Sequence, residues 1–122
     1  MLHGKTQYYS GEKLIKSQKY SYGELNGKFV ENYPTGSKKV SGNYLNNLPH
    51  DKWIWWGGDN SKSRIVNFSN GIKHGNIQVW NEGISVLSGS FEEDQKSGTW
   101  KWYRSKKDLD SFYLYTPNVY LE

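Results

Sequence analysis

The sequence predicts an all-β protein: tandem β-hairpin repeats stacked into one elongated, curled antiparallel sheet of about ten strands. Three observations predict it. A small turn-type residue recurs at Gly4, Gly27, Asp51, Gly75 and Gly98, with spacings of 23, 24, 24 and 23. A fixed period of this size marks a stacked repeat architecture. Between these steps, short runs alternate apolar and polar residues with the period of a strand. No long run has helical periodicity, and Gly and β-type residues interrupt the chain throughout.

Each unit holds two strand-like segments. In the first unit Thr6 and Tyr8 follow the step, Ser10-Gly11 makes a turn, and Tyr20 ends the second segment. In the second, Phe29 and Glu31 take the same places, Pro34-Thr35-Gly36 turns, and Val40, Gly42 and Tyr44 share one face. The third runs Trp53 and Trp55, a turn at Gly57-Gly58-Asp59-Asn60, then Arg64, Val66 and Phe68. The fourth runs Ile77 and Val79, a turn at Asn81-Glu82-Gly83, then Leu87, Gly89 and Phe91. The fifth opens with Trp100 and Trp102, and "DLDSFYLYTPNVYLE" reads as a last strand stopped by Pro117. Gly and Asn supply the positive φ of tight hairpin turns. The units fall near 3–25, 26–49, 50–73, 74–96 and 97–122, the last with a C-terminal cap, in one domain.

Composition says what fills such a sheet. Hydrophobic residues make up 34% of the 122 residues, below the usual share, while aromatics reach 16%. The core must therefore be built largely from rings. Gly42 and Gly89 lie on the aromatic face, where a missing side chain leaves room for a neighbouring indole. Asp51 stands where the other units have glycine, as a residue that tolerates left-handed geometry better than most.

The segments "NGKFVENYPTGSKKVSGNYLNNLPHDKWIWW" and "NGIKHGNIQVWNEGISVLSGSFEEDQKSGTWKWY" resemble the bacterial variant of the MORN (membrane occupation and recognition nexus) repeat. The resemblance covers about residues 3–104. It implies a stack of hairpins, and a scaffold for protein contacts or sometimes phospholipids. Members of this variant include proteins described as YwqK-type antitoxins, so an antitoxin- or immunity-like role is what the resemblance implies. The chain departs from the pattern at Asp51, Glu31 and Asn32.

The function expected is a non-catalytic protein–protein interaction module. Its anchors are Trp53, Trp55, Trp56 and Trp80, with Tyr33 and Tyr103 behind them, because large aromatics carry most interface energy. Trp56, Trp80 and Tyr103 sit on the opposite strand parity to the core positions, beside the turns. The alternative is an anionic phospholipid- or cell-wall-glycan-binding surface. Net charge is +4, which suits an acidic partner. Lysines interleaved with aromatics can also stack nucleic acid, but lysine on a sheet equally blocks edge pairing, so nucleic acid is not the expected partner.

Other chemistry finds no support. There is no cysteine, hence no thiolate site or disulfide framework. No nucleophile elbow, metalloprotease helix or phosphate loop is present, and no enzyme activity, cofactor or metal is expected. His3, His50 and His74 share one repeat position. Equivalent residues two strands apart lie roughly 10 Å from each other, too far to share a zinc ion, so hydrogen bonds at the turns are expected of them. No apolar run is long enough for a transmembrane helix, and "MLHGKTQYYSGEK" has no signal core, so the expected location is cytoplasmic.

Overall fold

The computed structural model describes residues 2–81, 84–103 and 112–115, with backbone alone for 102, 103 and 112–115. Short turns and loops place the strands side by side in chain order. They are β1 (Gly4–Ser10), β2 (Lys13–Ser21), β3 (Glu24–Leu25), β4 (Gly27–Asn32), β5 (Lys38–Leu45), β6 (Leu48–Trp56), β7 (Lys62–Ser69), β8 (Ile72–Asn81), β9 (Ile84–Glu92), β10 (Gln95–Tyr103) and β11 (Phe112–Tyr115). All join one sheet in the order β1-β2-β4-β5-β6-β7-β8-β9-β10-β11, antiparallel throughout, with β3 pairing β2 as the detached first piece of β4. The expected ten-strand meander is what forms. The last expected strand is β11; Pro117, and Glu82 and Gly83 of the fourth turn, lie outside the described residues.

The turns between units have two central residues, both at positive φ: Tyr22-Gly23, Asn46-Asn47, Asn70-Gly71 and Glu93-Asp94. That is the combination that matches strand twist in a two-residue hairpin. Each turn also binds backward onto the preceding unit. The amides of Gly23, Asn47, Gly71 and Asp94 donate to the carbonyls of Leu2, Leu25, Pro49 and Lys73 at 2.7–2.9 Å. The amides of Tyr22, Asn70 and Glu93 donate to Nδ1 of His3, His50 and His74 at 3.3, 3.1 and 3.2 Å. In the second unit, where Asn26 takes the histidine's place, Asn26 Nδ2 donates to Asn46 Oδ1 at 3.1 Å. All three histidines therefore do one job, accepting a turn amide that the ladder leaves unpaired.

The step residues all adopt positive φ: Gly4 93°, Gly27 106°, Asp51 63°, Gly75 101° and Gly98 67°. Asp51 thus takes the left-handed conformation with an exposed side chain, its Oδ1 3.5 Å from His50 Nε2. Each inner step displaces two residues from the ladder with the preceding unit. Ser41 pairs Ile54 while Asn43 pairs His50, so Asp51 and Lys52 are left over on that side. They stay paired on the other, with Phe68 and Asn67. Gly75-Asn76 and Gly98-Thr99 are displaced in the same way.

Across this displacement the residue two after the step lies opposite a partner of complementary size. Trp53 meets Gly42 and Trp100 meets Gly89, whereas Ile77 meets Val66. A Cβ on Gly42 or Gly89 would fall inside the indole ring. The expected room for an indole is thus filled. Each indole N–H is satisfied as well: Trp53 Nε1 donates to the Asn43 carbonyl at 3.0 Å, and Trp100 Nε1 to the Ser90 carbonyl at 3.1 Å. Gln18 is buried with its Nε2 donating to Tyr20 Oη at 2.7 Å.

The core is one face of this single sheet. Phe29, Val40 and Trp53 are buried together, flanked by Tyr44, Trp55 and Phe68. Phe29 stacks on Trp53 at 5.5 Å between ring centroids, and Tyr44 stands edge-on to both at 5.5 and 5.0 Å. Such offset and edge-on pairs are worth about 0.5–1.5 kcal/mol beyond area burial. Burial raises the Tyr44 phenol above the usual tyrosine range. A second cluster pairs Phe91 with Trp100, edge-on at 5.1 Å.

Two tests follow from this packing. Gly42→Val should destabilise the sheet by about 1–3 kcal/mol or more through overpacking. Combining it with Trp53→Ile, which copies the natural Val66–Ile77 match, should give a protein more stable in urea than Gly42→Val alone; additive losses would place the two side chains out of contact. His50→Ala should speed hydrogen exchange at the Asn70 amide by about fivefold or more, the loss of one hydrogen bond of roughly 1 kcal/mol.

Candidate functional site

The edge of the sheet opposite the two-residue turns carries the loops at 33–37 and 57–61 and the ends of β6 and β8. Here each hairpin contains one extra residue. Glu31 pairs Val40 but Asn32 pairs Lys38, and Trp55 pairs Arg64 but Trp56 pairs Lys62. Lys39 and Ser63 are the additions; Val86 is the corresponding one in β9. A bulge of this kind bends and twists its strand. At this end consecutive side chains of opposite parity can therefore border the same space.

They do. Tyr33, Lys39, Trp55, Trp56, Ser63, Arg64, Val79 and Trp80 line one open depression of about 390 Å³. Its floor follows from register. Trp55, Arg64 and Val79 are direct cross-strand partners on β6, β7 and β8, so they form one row on the aromatic face. The loops hold the walls. Tyr33 Oη donates to the Trp56 carbonyl at 2.8 Å, fixing the loop after β4 against the end of β6. The Tyr33 amide donates to the Ser37 carbonyl, and Gly36 to Tyr33, closing that loop on itself. The next loop closes through Gly57 N to Ser61 O at 2.8 Å and through Asp59, whose Oδ1 takes the Ser61 hydroxyl at 2.6 Å and amide at 3.1 Å. Those two bonds hold the Asp59 carboxyl below its ordinary range.

Cations lie over the rings. The Arg64 guanidinium carbon is 4.2 Å from the Trp55 ring centroid, Lys38 Nζ is 5.4 Å from Trp56, and Lys39 Nζ is 5.8 Å from Tyr33. Lys39 also meets Glu31 at 3.4 Å. The result is a ring-lined hollow with a positive rim, which can take an apolar group carrying an acid. Contacts of this type contribute roughly 0.5–1 kcal/mol each when exposed, and more once desolvated.

Of the six aromatics expected as anchors, four come together here: Tyr33, Trp55, Trp56 and Trp80. Trp53 does not join them. It is 5% exposed, its ring lying over Gly42 and against Phe29, so it serves the core and offers no free face. The side chain of Tyr103 lies outside the described residues. Arg64 and Lys39 are site residues that an aromatic-only reading passes over. Arg64 was legible as the residue two before Val66 on the same face, in line with Trp55; Lys39 was not, because its position follows from the extra residue in β5.

Truncation should separate the two kinds of tryptophan. Trp53→Ala should cost about 3–5 kcal/mol in a denaturant titration, as loss of a core aromatic does. Trp56→Ala and Trp80→Ala should each cost under about 1.5 kcal/mol, because half-buried side chains at a rim surrender less packing. Comparison of the chain with protein-family models, curated proteins and solved structures finds no match.

Proposed function

We propose that this chain is a non-catalytic protein-interaction module that docks an acidic face of a partner protein in its aromatic depression. The observation that carries this reading is the gathering of Tyr33, Trp55, Trp56 and Trp80 with Lys39 and Arg64 around one open hollow. Tryptophan, tyrosine and arginine are the residue types that dominate interface energetics, and they do so from pockets that exclude water. A hollow set on bonded strands and self-closed loops loses little conformational freedom on binding. The MORN-like resemblance would make the partner a toxin and this chain its antitoxin- or immunity-like counterpart. With a net charge of +4, the matching surface on such a toxin is acidic.

The same rings and lysines support a second reading, an anionic lipid or glycan surface, and one experiment decides between them. The wild-type chain and a Trp56→Ala/Trp80→Ala variant are used as baits in extracts of the source cells. Each recovered protein is then purified and its binding measured by calorimetry, with folding checked by circular dichroism. The expected result is a stoichiometric complex that the folded variant weakens at least tenfold. Binding of wild type to acidic vesicles that is released as salt rises, with no protein complex, would replace the docking reading with the surface reading.

A further inference from the structure

We infer that the Arg64–Trp55 stack is the carboxylate receptor of the depression, and that the docked segment presents an Asp or Glu next to a large apolar side chain. This rests on the reading of the depression as a protein-docking site and names the chemistry that site selects. Arg64 is positioned from both sides by its register partners Trp55 and Val79. Its guanidinium lies over the Trp55 ring at 4.2 Å. A guanidinium held this way has its orientation set in advance, while its N–H groups, which lie in its own plane, remain available to the fork of a carboxylate.

The acids on this end of the sheet are engaged elsewhere. Glu31 meets Lys39, and the Asp59 carboxylate is taken by Ser61. Among the described residues no carboxylate lies within ion-pair distance of Arg64. The cation therefore stands exposed on the floor of a hollow walled mainly by rings, with Lys38 adding charge over Trp56. Charge complementarity selects an acid, and the rings select an apolar neighbour for it.

A carboxylate fits better than a phosphate group. Phosphate sites recruit several backbone amides or several cations. The amides of Tyr33, Gly36, Ser37, Gly57, Asn60 and Ser61 are all turned into hydrogen bonds within their own loops. Of the other cations at the rim, Lys39 is met by Glu31 and Lys38 lies over the Trp56 ring, which leaves the bidentate edge of the Arg64 guanidinium to be matched by one carboxylate.

The test is selection of random twelve-residue peptides displayed on phage against the immobilised full chain. Enriched peptides are then synthesised and titrated against the chain's tryptophan fluorescence. The expected consensus places Asp or Glu within two residues of Trp, Phe, Tyr or Leu. Arg64→Gln should weaken the consensus peptide at least tenfold, and Arg64→Lys should restore only part, because lysine lacks the planar fork. Replacing the peptide acid by its amide should cost wild type as much as Arg64→Gln does, and should cost the Arg64→Gln protein nothing further. Circular dichroism should report an unchanged fold for both exposed substitutions. Neutral or basic consensus peptides, no enrichment at all, or equal binding by Arg64→Gln would overturn the assignment. So would Arg64-dependent binding of inorganic phosphate or of phosphatidylglycerol vesicles in place of acidic peptide. If Arg64→Gln keeps the cellular partner that Trp56→Ala/Trp80→Ala loses, the docking reading stands and the carboxylate receptor falls.

Discussion

A strand that passes through the left-handed region cannot keep a regular ladder on both sides, and this constraint organises the whole molecule. At Asp51 and Gly75 two residues leave the pairing with the unit behind while holding the pairing with the strand ahead. The displacement brings the residue two after the step opposite a residue whose volume it must match. It also runs the start of the strand beside the next turn, where a histidine ring and a carbonyl take up the turn's amides. Core packing and the stacking of turns are two consequences of one backbone conformation. An Asp at that position adopts it at modest cost, because a short polar side chain tolerates positive φ where a branched one does not.

Among the described residues no second layer covers the sheet, so it has little depth in which to hide aliphatic side chains, and the chain answers with rings laid flat. An indole over a glycine covers backbone as well as side chain, which lets one residue do the work of several smaller ones. The arrangement also disposes of the indole's polar edge: Trp53 and Trp100 each donate to the carbonyl of the residue after the glycine that they cover. Among the described residues no buried side-chain polar atom is left without a partner. Rings are thus the economical material for both the core and the hollow at the opposite end of the same strands. Trp53 lies between Gly42 and Val66 on the flanking strands, whereas Trp55 lies between Val40 and Arg64.

Much of this was legible in the residues. The period set the units, and the polarity pattern set the aromatic face. Gly42 and Gly89 announced the indoles, and the three histidines in one register announced a shared task at the turns. The two departures from regular pairing were not legible, because they arise from the accommodation of twist by the ladder and leave no composition signal. Without them, strict alternation separates Trp56 and Trp80 from Trp55, although the bulged ends bring all three to one hollow. Trp53 looked as available as Trp55 for a related reason: both lie on the same face of one strand. The burial of one and the half-exposure of the other are decided by their cross-strand neighbours.

With β3 counted as part of β4, every strand in the sheet path pairs only with the strand before and the strand after it in the chain. All-β domains ordinarily close long loops between distant segments, and this slows their folding. Here the hydrogen bonds behind each turn reach back about one repeat and no further. The described strands therefore pair over shorter sequence separations than those of a β-sandwich do. Folding can begin at any pair of neighbouring hairpins and spread in both directions, one hairpin at a time. The aromatic hollow draws on adjoining hairpins alone, so it is complete as soon as its local neighbourhood has formed, before the ends of the sheet are in place.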